Sequence, residues 1–225
     1  MITAGQMESS VAARALEQLC RIYWYPLYAY VRRQGRDSHE AQDLTQEFFA
    51  RLLAAKSLQF VDRSKGKFRS FLLASMNHFL AKEWNRAHRQ KRGGGQVILS
   101  LDDDTAEQQY LREPADPMTA DRLFDRRWAL TVLEQAMARL KNEFTTGGKA
   151  ELFEQLKASI SGEPTAATYA EVAANCQMSE GAVKVAAHRL RKRYGELLRE
   201  EIAQTVSRPE EVEDEIRLLV AALRG

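Results

Sequence analysis

An all-α fold, made of two small helical domains joined by a flexible linker, is what this sequence predicts, and three observations predict it. Apolar residues recur at steps of three and four through most of the 225 residues. Glycine and proline are nearly absent from those periodic stretches, and the alternating β-branched pattern of strands is missing. Finally, Gly93-Gly94-Gly95 opens an acidic stretch holding Pro114 and Pro117, which parts the periodic segments into two groups.

Taken in order, a first helix is expected from Ser9 to Trp24, with Pro26 starting a second, since proline suits the first helical turn. Asp37 followed by Glu40 has the form of a capping box. The helix it opens carries Leu44, Phe48 and Leu52 on one face, with Phe49 and Leu53 beside them. A polar loop, QFVDRSKGK, separates it from a long helix over Phe68 to Lys91, whose inward positions are Phe68, Leu72, Phe79, Leu80 and Trp84. The acidic stretch 93–120 has a composition that resists packing. Helical pattern resumes at Asp121 with the stripe Trp128, Val132, Leu133, Ala136 and Leu140, then Leu152, Phe153, Leu156 and Ile160. The predicted domains are therefore 9–92 and 121–205, with an amphipathic extension over 206–225.

Composition excludes several classes of function. No run reaches the ~18–20 apolar residues of a membrane span, and the first twenty residues lack the basic-then-apolar layout of a signal peptide, so membrane insertion is not expected and a cytoplasmic setting is. Cys20 and Cys176 stand far apart, outside any CxxC pair, and read as two buried free thiols. The net charge of +2 conceals blocks: Asp62–Arg92 holds nine Lys/Arg against two Asp/Glu, Lys184–Arg199 is basic again, and Glu210–Glu215 is acidic. Two basic blocks on one chain point to two contacts with nucleic acid.

The second block lies in MSEGAVKVAAHRLRKR, Met178–Arg193. Thr168 and Glu171 form a capping box for a short helix, NCQM is a tight turn, and Ser179 caps a longer helix. Val183, Ala187, Leu190, Tyr194 and Leu197 fall on its buried face, and Lys184, His188 and Arg191 fall opposite. Short helix, turn and basic helix make a helix-turn-helix, whose second helix enters the major groove N-terminus first. The first block pairs Arg63, Lys65, Gly66 and Lys67 in a loop with Asn77, His78, Lys82, Arg86 and Arg89 on the long helix. Loop and helix together suit a phosphate backbone, and amides among cations suit unpaired bases.

These stretches resemble the bacterial sigma-70 family, and specifically its extracytoplasmic-function (ECF) group. DLTQEFFARLL (Asp43–Leu53) is similar to the family's core-polymerase-binding region 2.2, FRSFLLASMNHFLAKEWNRAHRQKR (Phe68–Arg92) to regions 2.3–2.4, and TYAEVAANCQMSEGAVKVAAHRLRKRYGELL (Thr168–Leu198) to region 4.2. The resemblance covers 10–92 and 116–205. It implies a non-catalytic sigma factor whose partners are core RNA polymerase, promoter DNA and a regulator such as an anti-sigma factor, with no cofactor and no metal. It also implies polymerase binding by Asp43, Gln46, Glu47 and Phe48. Contact with the −10 element falls to Arg63, Lys65, Lys67, Asn77, His78, Lys82, Arg86 and Arg89. Contact with the −35 element falls to Ser179, Lys184, His188, Arg189 and Arg191.

Three departures stand out. Lys184-Val185-Ala186 replaces the Arg-Ser-Arg that many members carry, Asn142–Thr165 is longer than the usual link, and PEEVEDEIRLLVAALRG follows the last family region. That tail puts Val212, Ile216, Leu219, Val220 and Leu223 on one face, which suits a helix completing the recognition-helix core or a latch over the basic helix. A helix-turn-helix regulator that never engages polymerase is the alternative function. A DNA-processing enzyme built on Asp43, Glu47 and Asp62 lacks a phosphate loop, a nucleophile-base pair and a third metal ligand.

Overall fold

The computed structural model describes residues 20–54, 68–89, 103–111, 118–161, 168–206 and 208–224, and every element among them is helical. The chain divides into two compact units, one made of the described residues up to Thr131 together with those from Thr205 onward, the other of Val132–Gln204.

The first unit is organised around α1 (20–33). Ile22, Tyr23, Leu27, Tyr28, Ala29, Tyr30 and Val31 are all buried, so α1 is apolar around its whole circumference, as a central helix must be. This overturns the expected break at Pro26, because the helix runs through it. An interior proline costs about 3 kcal/mol, whereas each fully buried large apolar side chain is worth about 1.5–3 kcal/mol. Burial on all sides outweighs one lost hydrogen bond. Gly35, at φ 89°, ends the helix in the left-handed conformation that glycine adopts most readily.

α2 (Ser38–Ala54) begins as expected: the Asp37 carboxylate accepts from the Glu40 amide at 2.8 Å. Glu40 itself turns to Arg36 instead of closing the reciprocal half of the box. Phe48, Phe49 and Leu52 are buried, and Phe48 meets Phe79 of α3 (Phe68–Arg89) at a ring separation of 5.7 Å. Leu72, Met76, Phe79 and Leu80 complete the inward face of α3. Trp84 does not join them; it is 52% exposed.

The acidic stretch is packed where it is described. α4 (Asp103–Leu111) buries Ala106 and lays Glu107 against α1, where Arg32 binds it in a fork at 2.7 and 2.9 Å and the Tyr28 hydroxyl donates to it. Its composition gives few apolar anchors, but one buried alanine and a bidentate arginine–carboxylate pair hold it.

α5 (Ala120–Thr146) starts in the first unit and ends in the second. Its first part contributes Leu123, Phe124 and Trp128 to the first unit. There Arg69, at the start of α3, is only 8% exposed; it pairs with Asp125 at 2.9 Å, lies 3.8 Å from Glu215, and stacks over the Trp128 ring at 4.3 Å. Glu215 and the buried Leu219 belong to α10 (Val212–Arg224). The C-terminal helix thus completes the first unit, which corrects the expectation that it fills the core around the recognition helix. Its acidic turn supplies the counter-charge for a buried arginine, a long-range requirement that composition does not reveal.

In the second unit, Ala136 and Leu140 of α5, Phe153 and Leu156 of α6 (Ala150–Leu156), Val172 of α8 (Tyr169–Asn175), and Val183, Ala187, Leu190 and Leu197 of α9 (Glu180–Ala203) form one core. Ile160, on the short α7 (Ala158–Ser161), packs against it. The long 142–165 segment is therefore part of the core where it is described.

Candidate nucleic-acid interface

The helix-turn-helix is assembled by local bonds. Thr168 and Glu171 form the full capping box of α8. The turn closes with Met178 N donating to the Ala173 carbonyl at 2.9 Å and Gln177 N to Ala174 at 3.4 Å, the paired bonds of a Schellman motif. Ser179 Oγ then accepts from the Ala182 amide at 3.2 Å and starts α9. Ser179 thus orients the start of the helix, and its hydroxyl accepts this bond while keeping its own proton as a donor.

Along α9 the buried residues Val183, Ala187, Leu190 and Leu197 define the inward stripe. With a turn of 3.6 residues, the row opposite that stripe is Gly181, Val185, His188 and Lys192, all exposed. Lys184 and Arg191 lie on one flank of this row and Arg189 on the other, and these three are exposed too. Lys184 is ion-paired to Glu180 at 2.7 Å, which raises its pKa above the ordinary lysine value, and Arg191 reaches the Tyr169 hydroxyl at 3.5 Å. Arg193 is a different kind of cation. Glu143, Glu196 and Glu200 surround it, and its bond to Glu143 raises its pKa while lowering that of Glu143. It ties α9 to α5.

In the first unit, Asn77, His78, Lys82 and Arg86 are all exposed on α3. Asn77 is held by α1: its Oδ1 accepts from the Tyr30 hydroxyl at 2.5 Å and from Gln34 Nε2 at 3.4 Å. Trp84 shares the exposed side with Asn77, one heptad on. Arg63, Lys65 and Lys67 lie outside the described residues, and Arg89 is the last residue of α3.

On α2, Asp43 and Glu47 are exposed one turn apart, and Gln46 is half-buried. Glu47 is bound by Arg51 at 2.5 Å; Arg51 also holds Glu83 of α3 at 2.8 Å and covers the Phe79 ring at 5.0 Å. Phe48 is 4% exposed and packs inward. It supports the acidic ridge from beneath and does not offer a contact surface. No group of three or more metal-binding side chains occurs among the described residues, and none of their helices is long and apolar enough to cross a membrane. Both cysteines are free thiols, half-buried rather than fully buried.

Two helical units, one presenting a capped basic recognition helix after a tight turn, define a helix-turn-helix DNA-binding protein. The family model for ECF sigma factors matches residues 9–200, and the chain belongs to that family. Its role is accordingly that of a sigma factor in transcription initiation, not of an enzyme. No curated protein and no solved structure is a significant match.

Sequence reasoning placed the cations of α9 on the outward side and singled out Val185 as a departure, but did not place Val185, Gly181 and Lys192 in the middle of that face. Their helical phase relative to Val183 and Leu190 was the available signal. It also missed Tyr30 and Gln34, for which no local pattern exists.

Proposed function

We propose that this chain binds core RNA polymerase through the acidic ridge of α2 and directs it to promoters, α3 contacting the −10 element and α9 the −35 element. The observation that carries the reading is the pair of exposed polar and basic helical faces, one on each compact unit, beside a separate exposed acidic face. A phosphate-binding cation contributes affinity on any sequence, and a major-groove helix adds base contacts. The exposed amide of Asn77, anchored by Tyr30, and the exposed Trp84 ring suit unpaired bases on the α3 side. A regulator such as an anti-sigma factor would act by covering one of these faces.

Run-off transcription with purified core polymerase on the DNA upstream of its own gene tests the reading. A core-dependent transcript supports it; DNA binding without any core-dependent transcript or co-purification with polymerase would instead favour a regulator that acts alone. Asp43 makes the sharper probe of the ridge, because it has no ion pair among the described residues, whereas Glu47 also braces Arg51. Asp43→Lys is expected to lower polymerase affinity at least tenfold with an unchanged thermal midpoint. Full retention of binding would move the interface off α2.

A further inference from the structure

We propose that Val185 reads a thymine, through its C5-methyl group, in the element that α9 contacts. The inference rests on the reading of α9 as the −35 helix and assigns it one specific base contact.

Val185 is 50% exposed, while Val183, Ala187, Leu190 and Leu197 of the same helix are fully buried. Its place matters more than its exposure. It lies in the row directly opposite the buried stripe, between Gly181 and His188, so a helix resting in a groove with its core side outward carries Val185 deepest. Gly181 leaves open space one turn before it, with no heavy atom within 4 Å of where a Cβ would stand, and Ala182 is exposed and small. Around this shallow apolar spot, Lys184 and Arg191 point to one flank and Arg189 to the other. The arrangement matches a major groove, whose walls are phosphates and whose floor is base edges.

The chemistry of the floor selects the base. Valine has no donor or acceptor, so it gains nothing from guanine N7 and O6, adenine N6 and N7 or cytosine N4. The thymine C5-methyl is the one apolar group presented there. Helix propensity does not explain the residue, since valine is a poorer helix former than alanine at an exposed position. Lys184-Val185-Ala186 is thus less an absence of reading groups than a change of the group read.

Full-length protein with core polymerase is used to select a preferred duplex from randomised DNA. Each thymine on the −35 side is then replaced singly by deoxyuridine, which removes only the methyl. At one thymine, wild-type binding is expected to weaken about fourfold, the worth of one buried methyl-sized group. Val185→Ala should bind the thymine site about fourfold more weakly than wild type, show no thymine-over-uracil preference, and keep the wild-type salt dependence because no charge is removed. Wild-type indifference to every deoxyuridine would overturn the assignment while leaving α9 as the reader. Persistence of the preference in Val185→Ala would overturn it equally. If selection yields no preferred −35 sequence, both the assignment and the reading of α9 fail together.

Discussion

α3 and α9 carry the two exposed basic faces proposed to meet DNA, and their starts are held in opposite ways. The start of α9 is specified by near neighbours, a Ser179 cap and a turn closed by α8, while its apolar stripe and Arg193 fasten the rest to α5 and α6. Its outward cations begin within the first turns, where the positive end of the helix dipole also favours phosphate. α3 has no acidic residue in its first turn, starts on a buried arginine, and carries its exposed polar residues toward the C-terminal end. Arg86, in the last turn, complements the negative end of the dipole. One helix begins from a locally specified turn and cap. The other depends on residues from α1, α5 and α10 for its placement.

Arg69 is where the two helices differ most. Its guanidinium serves Asp125, lies near Glu215 and stacks over Trp128. Removing one partner of a buried ionic group costs about 3–5 kcal/mol, because the opposite charge is left uncompensated. Arg69→Ala is therefore expected to destabilise the first unit by about that amount. Hydrogen exchange resolved by segment should show protection lost in α1, α3 and α10 and kept in α8 and α9. Equal loss in both units would mean that they unfold as one body.

This contrast also explains what was legible in the sequence. The α8 capping box, the Ser179 cap and the stripe of Val183, Ala187, Leu190 and Leu197 were readable because each depends on spacing within one segment. The path of α1 through Pro26 was not, since it is decided by burial against helices elsewhere. Trp84 follows Leu80 by one turn and was expected to share its burial; it lies at the edge of the inward face, and no neighbouring helix covers it fully. α10 was read correctly as amphipathic, but its partner was misassigned, because an apolar face does not name what it packs against. Arg69 identifies that partner, and nothing in its local pattern marks it as buried.

A smaller effect is expected from Ser179→Ala. The hydroxyl accepts the Ala182 amide at 3.2 Å, and losing such a cap costs about 1 kcal/mol. The loss should appear as a lower denaturant midpoint for the second unit alone. If the hydroxyl serves only as a cap, DNA affinity falls by no more than this fraying accounts for. A drop in affinity of a hundredfold or more would show that Ser179 touches DNA directly and that α9 is more than a locally capped module.

The smallest effect should be a gain. Two helices of the second unit end in the same motif: in α5 the Lys149 amide reaches Phe144 O at 2.8 Å and Gly148 reaches Thr145 O at 3.1 Å, and α8 repeats the pattern with Met178 and Gln177. The residue in the left-handed position is Gly148, at φ 70°, in the first and Gln177, at φ 53°, in the second. An L-residue there pays roughly 1–2 kcal/mol, and glycine's greater chain entropy offsets about 0.5–1 kcal/mol of the relief. Gln177→Gly should then stabilise the second unit by about 0.5–1 kcal/mol, read as a rise in its thermal midpoint. Gln177 belongs to the turn, before the capped start of α9 and outside its outward row, so site-specific binding is expected to stay within twofold of wild type. Stabilisation with tenfold weaker binding would mean that the strained glutamine is held for contact with DNA. The helix-turn-helix would then share with α3 a dependence on something beyond its own neighbours.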